Sequence, residues 1–295
     1  MTTPPVCDYT NSDYQTSFWE KGGRAYEDAC EVIALKKLLP KSGAHLLELG
    51  AGAGRNTPRY TGYEKITLLD YSRTQLEQAR QKLGDSPRYR FVAADVYRLP
   101  FVDAAFDGAT MIRTLHHMKD APAALAQVRK VLTSDATFIL EYANKRNVKS
   151  MLRYLLGKQK WSPYTLEPVE YLELNFDFHP RAIRAWMKDA GFEIGRVITV
   201  SHYRVGFLKR TIPTGFLAWL DSLAGLTGNL WQLSPSVFLR AAMLNAAPSG
   251  IKPGGAFACP ACGTVLEDTP PTIRCPKCEK TYPVKDGIYD FRLNA

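Results

Sequence analysis

The sequence of 295 residues has no uninterrupted apolar run of about eighteen residues, the length a membrane-spanning helix needs. Its nearest candidate, Gly215 to Leu233, is broken by Asp221 and Asn229. The opening residues, Met1 to Pro5, have neither the basic start nor the apolar centre of a secretory leader, so a cytoplasmic protein is expected. Cysteine is scarce. Six residues in a chain of this length do not make a disulfide-built scaffold. Internal repeats and low-complexity segments are absent as well. Acidic residues are in deficit, 29 against 38 Lys and Arg, which leaves a net charge of +9. The apolar share of 45% and charged share of 23% are those of an ordinary folded enzyme, long enough for one large domain and a small appendage.

What is present begins with His45-Leu46-Leu47-Glu48-Leu49-Gly50-Ala51-Gly52-Ala53-Gly54, apolar residues with a strand pattern running into three alternating glycines. A buried strand that ends in such a turn lets a ligand approach bare backbone. The dinucleotide fingerprint G-x-G-x-x-G is not completed, because Arg55 stands at its third glycine position. The Gly-Lys-Ser/Thr of a phosphate-cradling loop is missing too, so the pocket suits a nucleoside without phosphates. Two further strands end in acids. Lys65 to Asp70 places a carboxylate twenty residues after Gly50, where it can accept both hydroxyls of a ribose, and Tyr89 to Asp95 places another.

These residues resemble the class I S-adenosylmethionine-dependent methyltransferases. The resemblance implies a Rossmann-like α/β fold, a seven-stranded sheet with helices on both faces, and S-adenosylmethionine as cofactor. It implies that Gly50, Ala51 and Gly52 hug the methionine part and that Glu48 meets its amino group. Asp70, followed by Tyr71, would bind the ribose, Asp95 the adenine amine, and Val96 would pack on the ring. Arg113 after strand four and Arg24 in the N-terminal arm join this set, Arg24 towards the methionine carboxylate. Phe106 to His117 looks like strand four with its Leu-His-His turn, and Ala136 to Glu141 like strand five. The usual Pro-Gly-Gly before strand five is Thr133-Ser134-Asp135 here, still good turn chemistry. An NAD-dependent oxidoreductase is the rival reading.

His116 and His117 are the candidate bases, since histidine takes a proton near neutral pH; as an alternative, they only shape the turn by bonding backbone. The Asn/Asp-Pro-Pro-aromatic motif of amino-methylating DNA enzymes is absent there. Further on, His179 to Gly191 reads as a helix with a proline start and glycine stop, Glu193 to Tyr203 as strand six and Pro235 to Ala241 as strand seven. Residues 1–247 are therefore expected to form the methyltransferase domain, with insertions 143–178 and 205–233 capping the acceptor pocket. Residues 248–255 read as a linker and 256–295 as a second, small domain.

That second segment holds Cys259-Pro-Ala-Cys262 and Cys275-Pro-Lys-Cys278, two Cys-x-x-Cys knuckles twelve residues apart. Two such turns present four thiolates to one ion, so a structural Zn2+ is expected. With Tyr282-Pro-Val-Lys-Asp-Gly-Ile288, the segment resembles the zinc-ribbon partner subunit that activates tRNA, rRNA and translation-factor methyltransferases. A generic ribbon without a partner role is the alternative, and no protein partner is identifiable.

From Tyr142 to Leu166 six basic residues occur and no acid, interleaved with Met151, Leu152, Leu155 and Leu156 in an amphipathic helical pattern. Such a face suits an RNA backbone, an anionic membrane surface or plain solvation. Three functions follow as alternatives: a methyltransferase for a small-molecule acceptor at O, N or C, an RNA or translation-factor methyltransferase with the ribbon as activator in cis, and a cofactor-binding scaffold without turnover. The small-molecule acceptor is the preferred one.

Overall fold

The computed structural model describes residues 4–7, 22–244 and 254–293. Most of the N-terminal arm before Arg24, with Tyr14, Phe18 and Trp19 that the sequence places there, and most of the linker lie outside these residues.

Strand β1 (Gly43–Leu49) is buried from His45 onwards, as a central parallel strand must be. It lies between β2 (Tyr63–Asp70) and β4 (Phe106–Met111), both parallel to it. Beyond β2 comes β3 (Tyr89–Ala93), and beyond β4 come β5 (Leu132–Ala143), β9 (Ser236–Met243) and β8 (Phe192–Val200). The last two strands run antiparallel to their neighbours β5 and β9. Strand order therefore reverses between β1 and β4, which opens a crevice at the carboxyl ends of the strands.

Helix α1 (Ala25–Leu38) leads into β1, and α2 (Arg73–Leu83) follows β2, its first turn capped by Ser72 and its end closed by Gly84. Helix α3 (Ala121–Val131) starts on an Asp120 cap, and α5 (Pro180–Asp189) on His179, whose Nδ1 accepts from the Arg181 amide. The expected helices and strands are thus present, with boundaries shifted by a few residues. Strand six stops at Val200 rather than Tyr203, because Ser201 takes a left-handed conformation.

Both insertions spring from the carboxyl edge, where Ala143, Ser236 and Val200 sit side by side. The first holds α4 (Val148–Leu155) and a hairpin of β6 (Val169–Leu172) and β7 (Asn175–Asp177). The second holds α6 (Gly206–Thr211) and α7 (Thr214–Ala224), and α7 packs on α1 through Tyr26 Oη donating to buried Asp221, 2.9 Å.

One expectation is corrected. The sheet has ten strands, not seven, because the cysteine-bearing segment adds three. Strands β10 (Thr272–Arg274), β11 (Thr281–Lys285) and β12 (Ile288–Asp290) continue the sheet past β3, with β12 parallel to β3 and in register from Ile288 opposite Phe91. The physical reason is an open edge. Unpaired β3 amides and carbonyls would attract another chain, and β12 takes them up. Below the join, Phe101, Phe106, Phe257, Phe291 and Tyr282 form one buried aromatic cluster with rings 4.8 to 5.8 Å apart. No helix among the described residues is long and apolar enough to cross a membrane.

Candidate active site

The principal cavity lies at the carboxyl ends of β1, β2 and β4. Glu48, Gly50, Ala51, Gly52, Asp70, Tyr71, Val96, Arg113 and His117 all line it. Arg24, Asp95 and His116 do not lie in its lining.

The glycine turn is the floor. Gly50 has φ +64°, and a Cβ there would sit 2.1 Å from Thr114 Oγ1, so no other residue fits. Gly52, φ +53°, donates its amide to Asp70 Oδ2 at 2.8 Å, while Asp70 Oδ1 accepts from the Ser72 amide at 2.9 Å. Asp70 thereby locks the turn after β1 to the start of α2.

Glu48 is buried at the deep end, accepting from Thr57 Oγ1 at 2.6 Å. Burial pushes its carboxyl up to about 7, against the opposing pull of the Thr57 and Tyr60 hydroxyls. A carboxyl held at the threshold of ionisation is suited to a cationic group that enters the cavity. Asp95 caps the short turn Val96–Arg98 by accepting from the Tyr97 amide at 2.9 Å, and burial raises its carboxyl. Val96 is brought to the cavity by that turn. Arg24 begins α1 and pairs with buried Glu27 at 3.4 Å.

Several residues of this region were not legible in the sequence. Glu31, fully buried on α1, grips Arg55 of the glycine loop at 2.6 Å and Arg113 at 2.5 Å. Burial alone would raise its carboxyl, but the two guanidinium groups overcome this and hold it down. Asp28 holds Arg55 and Arg59 beside it. Arg113 itself is left-handed, φ +54°, a conformation costing about 1–2 kcal/mol for such a side chain. Glu141 at the end of β5 holds that backbone by accepting the Arg113 amide at 2.9 Å. The acidic stripe Glu27, Asp28, Glu31 on one helix was the available signal.

The two histidines differ. His117 Nδ1 lies 3.0 Å from the Leu174 carbonyl, and a carbonyl only accepts, so Nδ1 carries the proton and Nε2 the lone pair. Burial lowers the affinity of both rings for a second proton, His116 strongly, so both are neutral at pH 7. Leu174 belongs to the turn between β6 and β7, so this bond also closes the hairpin over the Leu-His-His turn. Asp177, at the end of β7, is pushed up to about 6 by burial and by neighbouring Glu141.

Comparison with known proteins finds likenesses for this part of the chain. Residues 47–140 match the family described as "Methyltransferase domain". This stretch of the chain is similar to that family. The chain is 31% identical over 151 residues to "O-methyltransferase cnsE" of Penicillium expansum, covering 47% of this chain and 54% of that protein. It is 36% identical over 125 residues to "2-phytyl-1,4-naphtoquinone methyltransferase" of Nostoc punctiforme, covering 39% of this chain and 54% of that protein. The chain thus spans about half the length of these curated relatives. In fold it is similar to an S-adenosylmethionine dependent methyltransferase structure from Mesorhizobium loti, with TM-score 0.52 and 17% identity over 74% of this chain and 99% of that one. The matched stretch runs from the end of β1 into β5 and contains every cavity residue from Glu48 to Met118.

The four cysteines form a second centre. Cys259 and Cys278 sulfurs lie 3.6 Å apart, Cys262 and Cys275 sulfurs 3.5 Å, and all four ligand atoms fall within 4.8 Å of one another. A disulfide needs about 2.05 Å, whereas a tetrahedron of zinc–sulfur bonds of about 2.3 Å has edges near 3.8 Å. The sulfur geometry fits zinc.

Proposed function

We propose that the chain is an S-adenosylmethionine-dependent methyltransferase acting on a small, apolar-bodied acceptor. The observation that carries this is the glycine turn flanked by two acids, buried Glu48 on β1 and half-buried Asp70 at the end of β2. Glu48 would hold the ammonium, Asp70 the ribose hydroxyls and Val96 the adenine face. When bound, the cofactor supplies a methyl carbon on a positive sulfur, from which an acceptor lone pair displaces a neutral thioether. The chain's task is alignment and, for a protonated acceptor, removal of one proton.

For that proton we assign Asp177, with His117 Nε2 as the second candidate. At pH 7 the Asp177 carboxyl is mostly ionised, and it stands on the hairpin that closes over the Leu-His-His turn, outside the cavity lining to which His117 belongs. Relatives named for methylation of oxygen and of a naphthoquinone support an aromatic hydroxyl-bearing acceptor. The four cysteines would hold a structural zinc, since a closed set of four thiolates leaves no open position.

Transfer of labelled methyl from S-adenosylmethionine to a panel of phenols and reduced naphthoquinones tests the reading. Turnover on one class, with Asp177→Asn reducing kcat by about 100-fold at unchanged cofactor affinity, is expected. Unchanged kcat in Asp177→Asn would remove it as the base, and cofactor binding without transfer to any acceptor would favour a scaffold.

Glu48 also sets a pH dependence. Only its carboxylate attracts an ammonium, so cofactor affinity is expected to fall about tenfold per pH unit below 7. The ligand-free fold behaves oppositely. An acid whose pKa is raised by folding supports stability at low pH and loses that support as pH rises through 7. Calorimetric titrations from pH 5.5 to 7.5 check the affinity, and Glu48→Gln should bind weakly with a flat profile. A flat profile in the wild type would place the ammonium elsewhere.

A further inference from the structure

Helix α4 is built in an unusual way for a helix of a water-soluble surface. Val148, Leu152 and Leu155 recur at i, i+4 and i+7 and so share one stripe, with Leu156 beside it. That stripe faces outwards. Leu155 is 70% exposed and Leu156 67% exposed, while the polar Ser150 on the same helix is buried. The base of the helix is joined to the strap before β9 by the Val148 amide, which donates to the Leu233 carbonyl at 3.0 Å. Asn144 Nδ2 donates to the Gln232 and Ser234 carbonyls in the same place. On this strap Leu230 is 82% exposed and Trp231 69% exposed.

Along α4 and the segment that follows it, charge has a single sign, and the exposed acids of this insertion, Glu167, Glu170 and Glu173, lie further on towards the hairpin. Arg146, Lys149, Arg153, Lys158 and Lys160 are exposed or nearly so, and no acid occurs from Tyr142 to Leu166. The lone acid of the second insertion, Asp221, is buried against Tyr26 and His202. Lys145 is turned inwards instead, its ammonium bonded to Thr165 Oγ1 at 2.9 Å and the Glu167 carbonyl at 2.7 Å, which pins the segment after α4 to its base. The apolar stripe is therefore presented by an anchored element.

We infer that α4 and the strap at Leu230 and Trp231 dock on an anionic lipid bilayer, the leucines and Trp231 entering the acyl boundary and the basic residues meeting lipid phosphates. Exposed leucines are of little use to a nucleic acid, which is held through phosphates and stacked on aromatic rings. An interfacial helix needs this pairing of an outward apolar stripe with lysine and arginine beside it. The surface springs from the carboxyl edge of the sheet, the edge that also carries the cavity. An acceptor with a lipid tail would reach the cavity without crossing water. The docking itself does not depend on methyl transfer.

Flotation of the zinc-loaded full chain with vesicles provides the test. Vesicles of phosphatidylcholine alone are compared with vesicles containing about one third phosphatidylglycerol, at low and high salt. The chain is expected to float with the anionic vesicles only, to be released in high salt, and to show a blue-shifted tryptophan emission when bound. Leu155→Glu with Leu156→Glu, and separately Trp231→Glu, should each reduce the floated fraction at least tenfold. Both changes are at exposed positions, so an unaltered melting temperature verifies the fold. Lys149→Glu with Arg153→Glu provides an independent variant that leaves the apolar stripe intact and should also lose flotation. No flotation of the wild type, equal flotation on neutral vesicles, or undiminished flotation of all variants would overturn the proposal. A wild-type dimer that Leu155→Glu makes monomeric, without vesicle binding, would assign the stripe to a second copy of the chain and overturn it equally.

Discussion

Asp70→Ala is expected to weaken S-adenosylmethionine binding by two to three orders of magnitude, measured by calorimetric titration of the zinc-loaded chain. The estimate comes from what the carboxylate does. It receives the Gly52 and Ser72 amides at 2.8 and 2.9 Å, and under the proposed function it also receives the ribose hydroxyls. Each hydrogen bond to a charged group contributes about 1.5–3 kcal/mol, and losing the ligand's share alone gives about 3–4 kcal/mol, or 100- to 1,000-fold. Asp70→Asn is the informative companion. It keeps the shape and one acceptor oxygen, so one of the two backbone amides stays bonded and affinity should fall by a smaller factor. Wild-type affinity in Asp70→Ala would overturn the placement of the ribose, and NAD would then be titrated as the rival ligand.

Removal of zinc should have the largest effect on stability. Treatment with a strong chelator, or Cys275→Ser, is expected to lower the melting temperature on the order of ten degrees. The segment has little else of its own. Its strands are three to five residues long, and its few apolar side chains pack partly on each other and partly into the core of the preceding strands. Loss of the ion should free Phe257, Tyr282 and Phe291, all buried now, and so raise the binding of a hydrophobic dye. One equivalent of zinc per chain by elemental analysis, with recovery of the melting temperature on adding zinc back, would complete the case. A zinc-free wild type with an unchanged melting curve would refute it.

The core of the fold was readable because it rests on local signals. Strands ending in Asp70 and near Asp95, and the proline start and glycine stop of the helix after His179, each declare themselves within a few residues. The floor of the cavity was readable for the same reason, since Gly50 and Gly52 are needed by backbone geometry alone. What escaped depends on contacts far apart in the chain. Glu31 and Arg113 meet across 82 residues, and Asp177 gains its environment only when a hairpin from the first insertion folds back over Glu141. Asp95, read as the end of a strand, instead caps the following turn, because strand pairing stops at Ala93. The cysteine spacing announced four convergent sulfurs, but nothing local announced that their segment would share a sheet with the rest of the chain.

That shared sheet imposes an order of events during synthesis. Ile288 pairs with Phe91, about two hundred positions earlier, at the high end of sequence separation for a strand contact. While the ribosome makes the intervening residues, β3 emerges with one side unsatisfied and remains so until the cysteine segment follows. For that interval the nascent chain carries an open edge beside exposed Phe101 and Phe106, the conditions under which neighbouring chains pair wrongly. With zinc on the four sulfurs, as proposed, metal supply and the pace of elongation would both govern how the chain reaches its native state. Zinc-poor cells would limit its yield at birth, before any finished molecule could lose its ion.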